Sequence, residues 1–293
     1  MDATTIVSLI TKIAQLTLFA LMLGMGLNLT MQQVLYLWHK PGLLIRALLA
    51  SFVLVPLVAL VVVQIIPLSA PVRVGIALMA IAPGAPMIYR KVSKMQWDAT
   101  LAASYQVTVA LVAIVFLPLL TTLLSYLYPT QGSVTPLAVF QQILAVQLIP
   151  LLMGLGIRAG ISDLADDIQD FVTRMGNGML LALGVVILAK GLQAVFNAGI
   201  LALLAIALIT IASLAIGHFL AGPDPETRAT LAIANATRNP GLALVITVAN
   251  FTKADVVPIV IVYALISAVI AAIYNRRYKR LLAIEHDQES IVQ

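Results

Sequence analysis

A chain of 293 residues that is 61% hydrophobic and only 10% charged, with a mean hydropathy of +1.05, is a polytopic membrane protein and not a soluble domain. Zero cysteines exclude disulfides, iron–sulfur clusters and thiolate metal sites, and His39, His218 and His286 are spaced too far apart to suggest a metal site. The net charge of +5 would suggest nucleic acid in a soluble protein; here the cations flank apolar runs, so topology accounts for them and no nucleic-acid partner is expected.

Apolar runs of membrane length, cut at charges and turn residues, predict an all-α chain of nine spans near 5–28, 41–66, 70–90, 97–128, 135–158, 171–194, 198–221, 227–250 and 254–276. The first lacks a basic leader and a small-residue cleavage site, so it reads as a retained helix. An odd number of spans puts the termini on opposite faces. With the N-terminus outside, twelve of the 17 lysines and arginines fall in cytosolic segments. Arg73, Lys190 and Lys253 fall outside, and Lys12 and Arg238 within spans. That asymmetry predicts a multi-pass protein of the cell (inner) membrane with the N-terminus out and the C-terminus in. Trp38 and Trp97 both fall at cytosolic boundaries, where an interfacial aromatic belt belongs.

Two of these spans are interrupted. The third carries AIAPGAPMIYR at 80–90, with Pro83, Gly84 and Pro86, and the eighth carries LAIANATRNPGLA at 231–243, with Pro240 and Gly241. Proline and glycine let the backbone unwind and expose carbonyls that hydrocarbon cannot satisfy. An arginine at membrane depth costs about 2.5–3.5 kcal/mol on insertion scales, so Arg238 is a candidate functional residue. The segments that begin at Pro71 and Pro225 resemble each other: each has an arginine near its start, Arg73 and Arg228, and each breaks further along at proline and glycine. LMLGMGLNL (21–29) likewise resembles LLALGVVIL (180–188). Because the charge count puts Arg73 outside and Arg228 inside, the two halves are expected to form an inverted-topology repeat, with both broken helices crossing near the midplane.

With LMLGMGLNL, APGAP, WDATLAASYQVTVALVAIVFLPLL and RNPGLAL in place along nearly its whole length, the chain resembles the bile acid:sodium symporter superfamily. The resemblance implies one transmembrane transporter unit over 1–280, followed by a cytosolic tail, 281–293. Spans near 5–28, 135–158 and 171–194 would form a panel, and spans near 41–128 and 198–276 a core that moves against it. It also implies that a first helix common in the family is lacking here.

The departures from the family pattern bear on the coupling ion. The family's first crossing motif, Pro-Gly-Gly-x-x-Ser-Asn, ends in sodium ligands; here those places hold Ile88 and Tyr89. Hydroxyl ligands on the next helix correspond to Ala102 and Gln106. The second motif supplies a glutamate and a glutamine; here they are Ala234 and Arg238. A sodium site needs hard oxygen donors, and exchanging a carboxylate for a guanidinium makes the locus hostile to a cation. The expected function is secondary active transport of a small organic anion by alternating access, without sodium and with no cofactor. Arg238 offers a planar fork that suits a carboxylate and keeps its proton. The other reading is that Arg238 pairs with a carboxylate or freed carbonyls and locks the crossing. A sensor or scaffold that kept a transporter fold is the alternative function. The chain contains neither H-E-x-x-H nor G-x-S-x-G, so an enzyme is not expected.

Asn235, Thr237 and Asn239 share the second break and offer donors and acceptors to a ligand or to the freed carbonyls. Gln106 and Tyr105 are placed opposite the crossing by the resemblance, and Tyr89 takes a family ligand position. Gln147 would lie on the panel and either face the cleft or bridge helices. Lys12 reads as a snorkelling side chain and Asp98 as a helix cap. Asp163, Asp166, Asp167 and Asp170 read as a solvated turn rather than a calcium site. RRYKR at 276–280 reads as a stop signal near anionic lipid. Of the N-x-T sequons at Asn28, Asn235 and Asn250, only the last is expected outside.

Overall fold

The computed structural model describes residues 3–86, 88–129, 135–250 and 256–292, and apart from short turns these are helical throughout. Helices satisfy their own backbone groups, which is the requirement that hydrocarbon imposes. Among the described residues, five helical stretches are long and apolar enough to cross a membrane: Pro41–Ile65, Ala99–Leu127, Pro136–Gly160, Phe196–Leu220 and Val256–Ile284; Ala70–Ile81 is a shorter apolar helix. Exposed apolar residues repeat along their outer faces, as at Leu57, Val61 and Ile65 and again at Ile200, Leu204 and Leu208. A face of that kind is at home in lipid, not water.

Helix α1 (Ala3–Asn28) leads to the short α2 (Met31–Leu35), whose start is closed by a capping box between Thr30 and Gln33. Next come α3 (Pro41–Leu49) and α4 (Val55–Ile65), joined by a π-helical turn over Ala50–Leu54. Pro56 makes that turn consequential. The Val55 N–H donates five residues back to the Ala50 carbonyl. The next donor in this register would be residue 56, and proline has none, so the Ser51 carbonyl is left for a side chain. The same device recurs between α8 (Pro136–Ile143) and α9 (Ile149–Gly160). There the π turn is Leu144–Leu148, Ile149 N–H donates to Leu144, and Pro150 follows.

Between these lie α5 (Ala70–Ile81), α6 (Ile88–Lys94) and the long α7 (Ala99–Leu127), which Asp98 caps through the Leu101 N–H at 2.8 Å. Helix α10 runs over Ser162–Leu220, 59 residues with a kink at Gly199, where φ is 76° and ψ 156°. Only glycine adopts that conformation cheaply, and it divides the stretch close to the expected boundary between the sixth and seventh spans. Helices α11 (Pro225–Ala236), α12 (Pro240–Asn250) and α13 (Val256–Val292) complete the chain. Helix α13 continues through RRYKR and on through the segment expected to form a tail.

The four aspartates expected to form a solvated turn lie on the first turns of α10. Asp166 pairs with Arg158 at 2.8 Å and Asp170 with Arg174 at 3.4 Å, in keeping with a solvated helical face. Lys12 is exposed on α1. Lys253 lies outside the described residues, as do the side chains of Lys190 and Asn250. Helix α1 packs against α9 and α10, and α10 against α11 and α13. The deepest part of the molecule is the pair of short helices α5 and α11 with the segments that follow them: residues 74–85 and 229–239 are all buried.

Candidate functional site

Helices α5 and α11 are each 12 residues long and leave the helical path in the same way. Ala82 ends the first at φ −87°, ψ 93°, and Thr237 ends the second at φ −86°, ψ 91°. The two exits exchange backbone hydrogen bonds: Asn239 N–H donates to the Ala82 carbonyl at 3.2 Å, and Ala85 N–H to the Thr237 carbonyl at 3.5 Å. Carbonyls freed by the breaks are therefore satisfied by the opposite break, which locks two interruptions into one junction. Gly84 sits there with φ 58°, and a Cβ added to it would lie 2.5 Å from Val109 Cγ2 on α7. Its carbonyl accepts the Gln106 Nε2 at 2.8 Å.

Around this junction is a buried polar cluster. Ser51 Oγ lies 2.6 Å from Tyr105 OH and donates to Asn235 Oδ1 at 2.9 Å, while Asn235 Nδ2 donates to the Leu231 carbonyl at 3.0 Å. Asn239 Oδ1 accepts the Leu242 N–H at 3.0 Å and so caps α12. At the centre is Arg238, 2% exposed. Both its Nη atoms point at the Ser51 carbonyl, at 3.3 and 3.4 Å, and its Nε has no partner. The acceptor is the one that Pro56 frees in the π turn. Among the described residues no carboxylate lies within 4.0 Å of the guanidinium; the ionisable groups that its charge acts on are Tyr105 and Tyr263. Gln106 Oε1 and Asn239 Nδ2 are also buried without a partner.

This donor set does not suit sodium. The Ala82, Gly84 and Thr237 carbonyls and Asn235 Oδ1 already accept protein hydrogen bonds, which leaves Gln106 Oε1 as a free oxygen, and the fixed charge among them is positive, whereas a hard cation requires several free oxygens with negative charge nearby. Partnerless donors around an uncompensated guanidinium suit an anion instead.

A cavity of about 410 Å³ opens beside the junction, between α1, α6 and the start of α10. Its walls include Asn28, Pro86, Tyr89, Arg90, Lys94 and Thr173. Arg90 and Lys94 are one turn apart on α6 and share a face. Between them Lys91 turns towards the junction, and its Nζ donates to Thr237 Oγ1 at 3.1 Å.

Of the residues expected from the sequence, Arg238, Asn239, Asn235, Thr237 and Gln106 come together at the junction, along with Pro83, Gly84, Pro240 and Gly241 of its backbone. Tyr89 and Pro86 stand apart from them, on the cavity wall. Gln147 lies in the second π turn, 1% exposed, and neither atom of its amide has a partner, so no helix-bridging bond is made. Asn28 donates to the Gly24 carbonyl at 2.7 Å and to Thr173 Oγ1 at 3.2 Å. Two residues at the junction were not singled out beforehand. Ser51 had one available signal, the proline that follows it in an apolar run. Lys91 reads in the sequence only as a cytosolic charge, and nothing in its spacing indicates that it turns inward.

The model of the sodium bile acid symporter family matches residues 15–211. The matched stretch includes the first break, both π turns and the cavity wall, and stops short of α11 and Arg238. No match to the chain was found among curated proteins. A match over well over half of its length places the chain: it belongs to the sodium bile acid symporter family of membrane transporters.

Proposed function

We propose that the chain is a secondary active carrier for a small organic anion, in which the fixed charge of Arg238 stands where relatives hold a coupling sodium. The observation that carries this reading is a guanidinium 2% exposed, at the meeting point of two broken helices, facing one backbone carbonyl and no described carboxylate. A buried charge without a counter-charge is costly, and a carboxylate ligand supplies the missing charge.

The two halves form an inverted-topology repeat of nine spans with the N-terminus outside. Supporting this, α5 and α11 have equal lengths and matching exits, and Arg73 and Arg228 sit at equivalent places near their starts. The panel of α1, α8–α9 and the first part of α10 faces a core built from the remaining helices. The anion enters through the cavity between α1 and α6, where Arg90 and Lys94 attract it, and reaches the junction. Rocking of core against panel then exposes the junction to the other side.

Counterflow in proteoliposomes tests the reading. Vesicles loaded with an unlabelled carboxylate should take up the labelled acid in choline medium without sodium. Arg238→Met should weaken that exchange by about 2–5 kcal/mol in apparent affinity, the range for removing one member of a buried charged contact. A sensor or scaffold would bind the acid and show no counterflow. Exchange that requires sodium, or that survives intact in Arg238→Met, would overturn the assignment.

A further inference from the structure

Arg238 is one of two cations at the junction. Lys91 extends from α6, partly buried, and its Nζ reaches Thr237 Oγ1 at 3.1 Å. Thr237 is the exit residue of α11 and adjoins Arg238 in the chain, and its carbonyl accepts the Ala85 N–H of the opposite break. The Lys91 head is thus held at Thr237, and the next residue, Arg238, sends its own head to the Ser51 carbonyl of the π turn. Among the described residues the ion pairs are Arg158–Asp166 and Arg174–Asp170, so neither cation has a carboxylate. Asp170, which borders the cavity, is the one already engaged by Arg174.

Resting on the anion-carrier reading above, we propose that the substrate is a small organic dianion of the dicarboxylate type, with Arg238 and Lys91 as its two counter-charges. A monoanion would leave one of these cations uncompensated at the junction, whereas a dianion neutralises both. The two heads hold the two carboxylates in different ways. The guanidinium is a planar fork with a free Nε, suited to two oxygens of one carboxylate. The ammonium is a compact charge with rotatable donors, and the bond it now makes is to a neutral hydroxyl, which a carboxylate oxygen replaces with gain. Thr237 Oγ1, released from Lys91, can then turn its own O–H to the ligand. Arg90 and Lys94 lie beside Lys91 on α6 and line the approach, where the acid on the same wall, Asp170, is paired with Arg174, so the cavity admits two negative charges.

Matched acids decide it. Wild-type protein in proteoliposomes is assayed for counterflow with butyrate against succinate and hexanoate against adipate, at neutral pH in choline medium. The dicarboxylate of each pair is expected to exchange at about tenfold lower concentration than its monocarboxylate. Lys91→Met is expected to abolish that preference, the dicarboxylate of each pair then requiring the same concentration as its monocarboxylate; Lys91→Gln serves the same purpose if the methionine variant does not fold. Monocarboxylates exchanging as well as dicarboxylates in wild type, or a dicarboxylate preference intact in the Lys91 variants, would overturn the dianion inference and leave the anion carrier standing. Absence of exchange with every acid would overturn both.

Discussion

Arg238 separates two kinds of explanation by its stability effect. If it were a lock, its removal would leave the Ser51 carbonyl bare and cost about 3–5 kcal/mol, as when one partner of a buried pair is removed. As an uncompensated charge awaiting a ligand, it can be replaced by a side chain of similar length with little loss, because desolvation of the charge disappears together with the contact. Arg238→Met is therefore expected to melt in detergent close to wild type while losing anion exchange, and a large drop in melting temperature would favour the lock. Ser51 behaves differently. Its hydroxyl joins Tyr105 on α7 to Asn235 on α11, and Ser51→Ala strands two buried oxygens. The expected loss is about 1–3 kcal/mol, read as a lower melting temperature. At this scale the sequence was informative about residues and silent about partners. An arginine and asparagines inside an apolar run stand out in the letters. That Ser51 faces them, or that Lys91 turns inward, depends on how four helices are brought together.

The breaks and turns of the helices carry their own consequences. Gly84 combines φ 58° with a neighbour, Val109, where its Cβ would go. Gly84→Ala should cost about 1–3 kcal/mol in stability from strain alone, more if Val109 cannot move, and equal melting of the variant and wild type would refute the geometry. Helix α11 begins at Asp224, whose carboxylate accepts the Thr227 N–H at 2.7 Å. The Thr227 hydroxyl first, and with it this N–H bond, hold the Asp224 carboxyl below the usual carboxylate range. A lowered folded value means stability that is present above the ordinary aspartate value and is lost as pH falls through the lowered one. Asp224→Ala should remove about 1 kcal/mol at neutral pH and flatten the acid side of the melting profile, and an unchanged profile would count against the cap. The broken helices could be read from Pro83, Gly84, Pro86, Pro240 and Gly241, whereas near Gly199 the sequence suggests only a boundary between two spans and not the kink. The π turns were missed, because an α-helical and a π-helical turn present nearly the same run of apolar residues. Pro56 and Pro150 acquire meaning only once the register of the preceding carbonyls is known.

At the scale of the whole molecule, the arrangement is an apolar shell around a buried, positively charged junction, beside a cavity with basic walls. Family membership was legible from motifs spread along the chain, and the match over residues 15–211 agrees with it. The site's chemistry could be anticipated only in part. Comparison of motifs leads to the expectation that the places of the family's sodium ligands hold other residues, whereas the absence of a described carboxylate near Arg238 depends on the packing. The central claim is that the junction works with a fixed cation in place of sodium. It is tested most directly by the melting temperature of purified protein in sodium against choline at matched ionic strength, since a ligand bound only by the folded state raises it by mass action. The account predicts equal melting in the two salts, from protein that a dicarboxylate such as succinate stabilises. A saturable rise specific to sodium would contradict it and restore a sodium symporter.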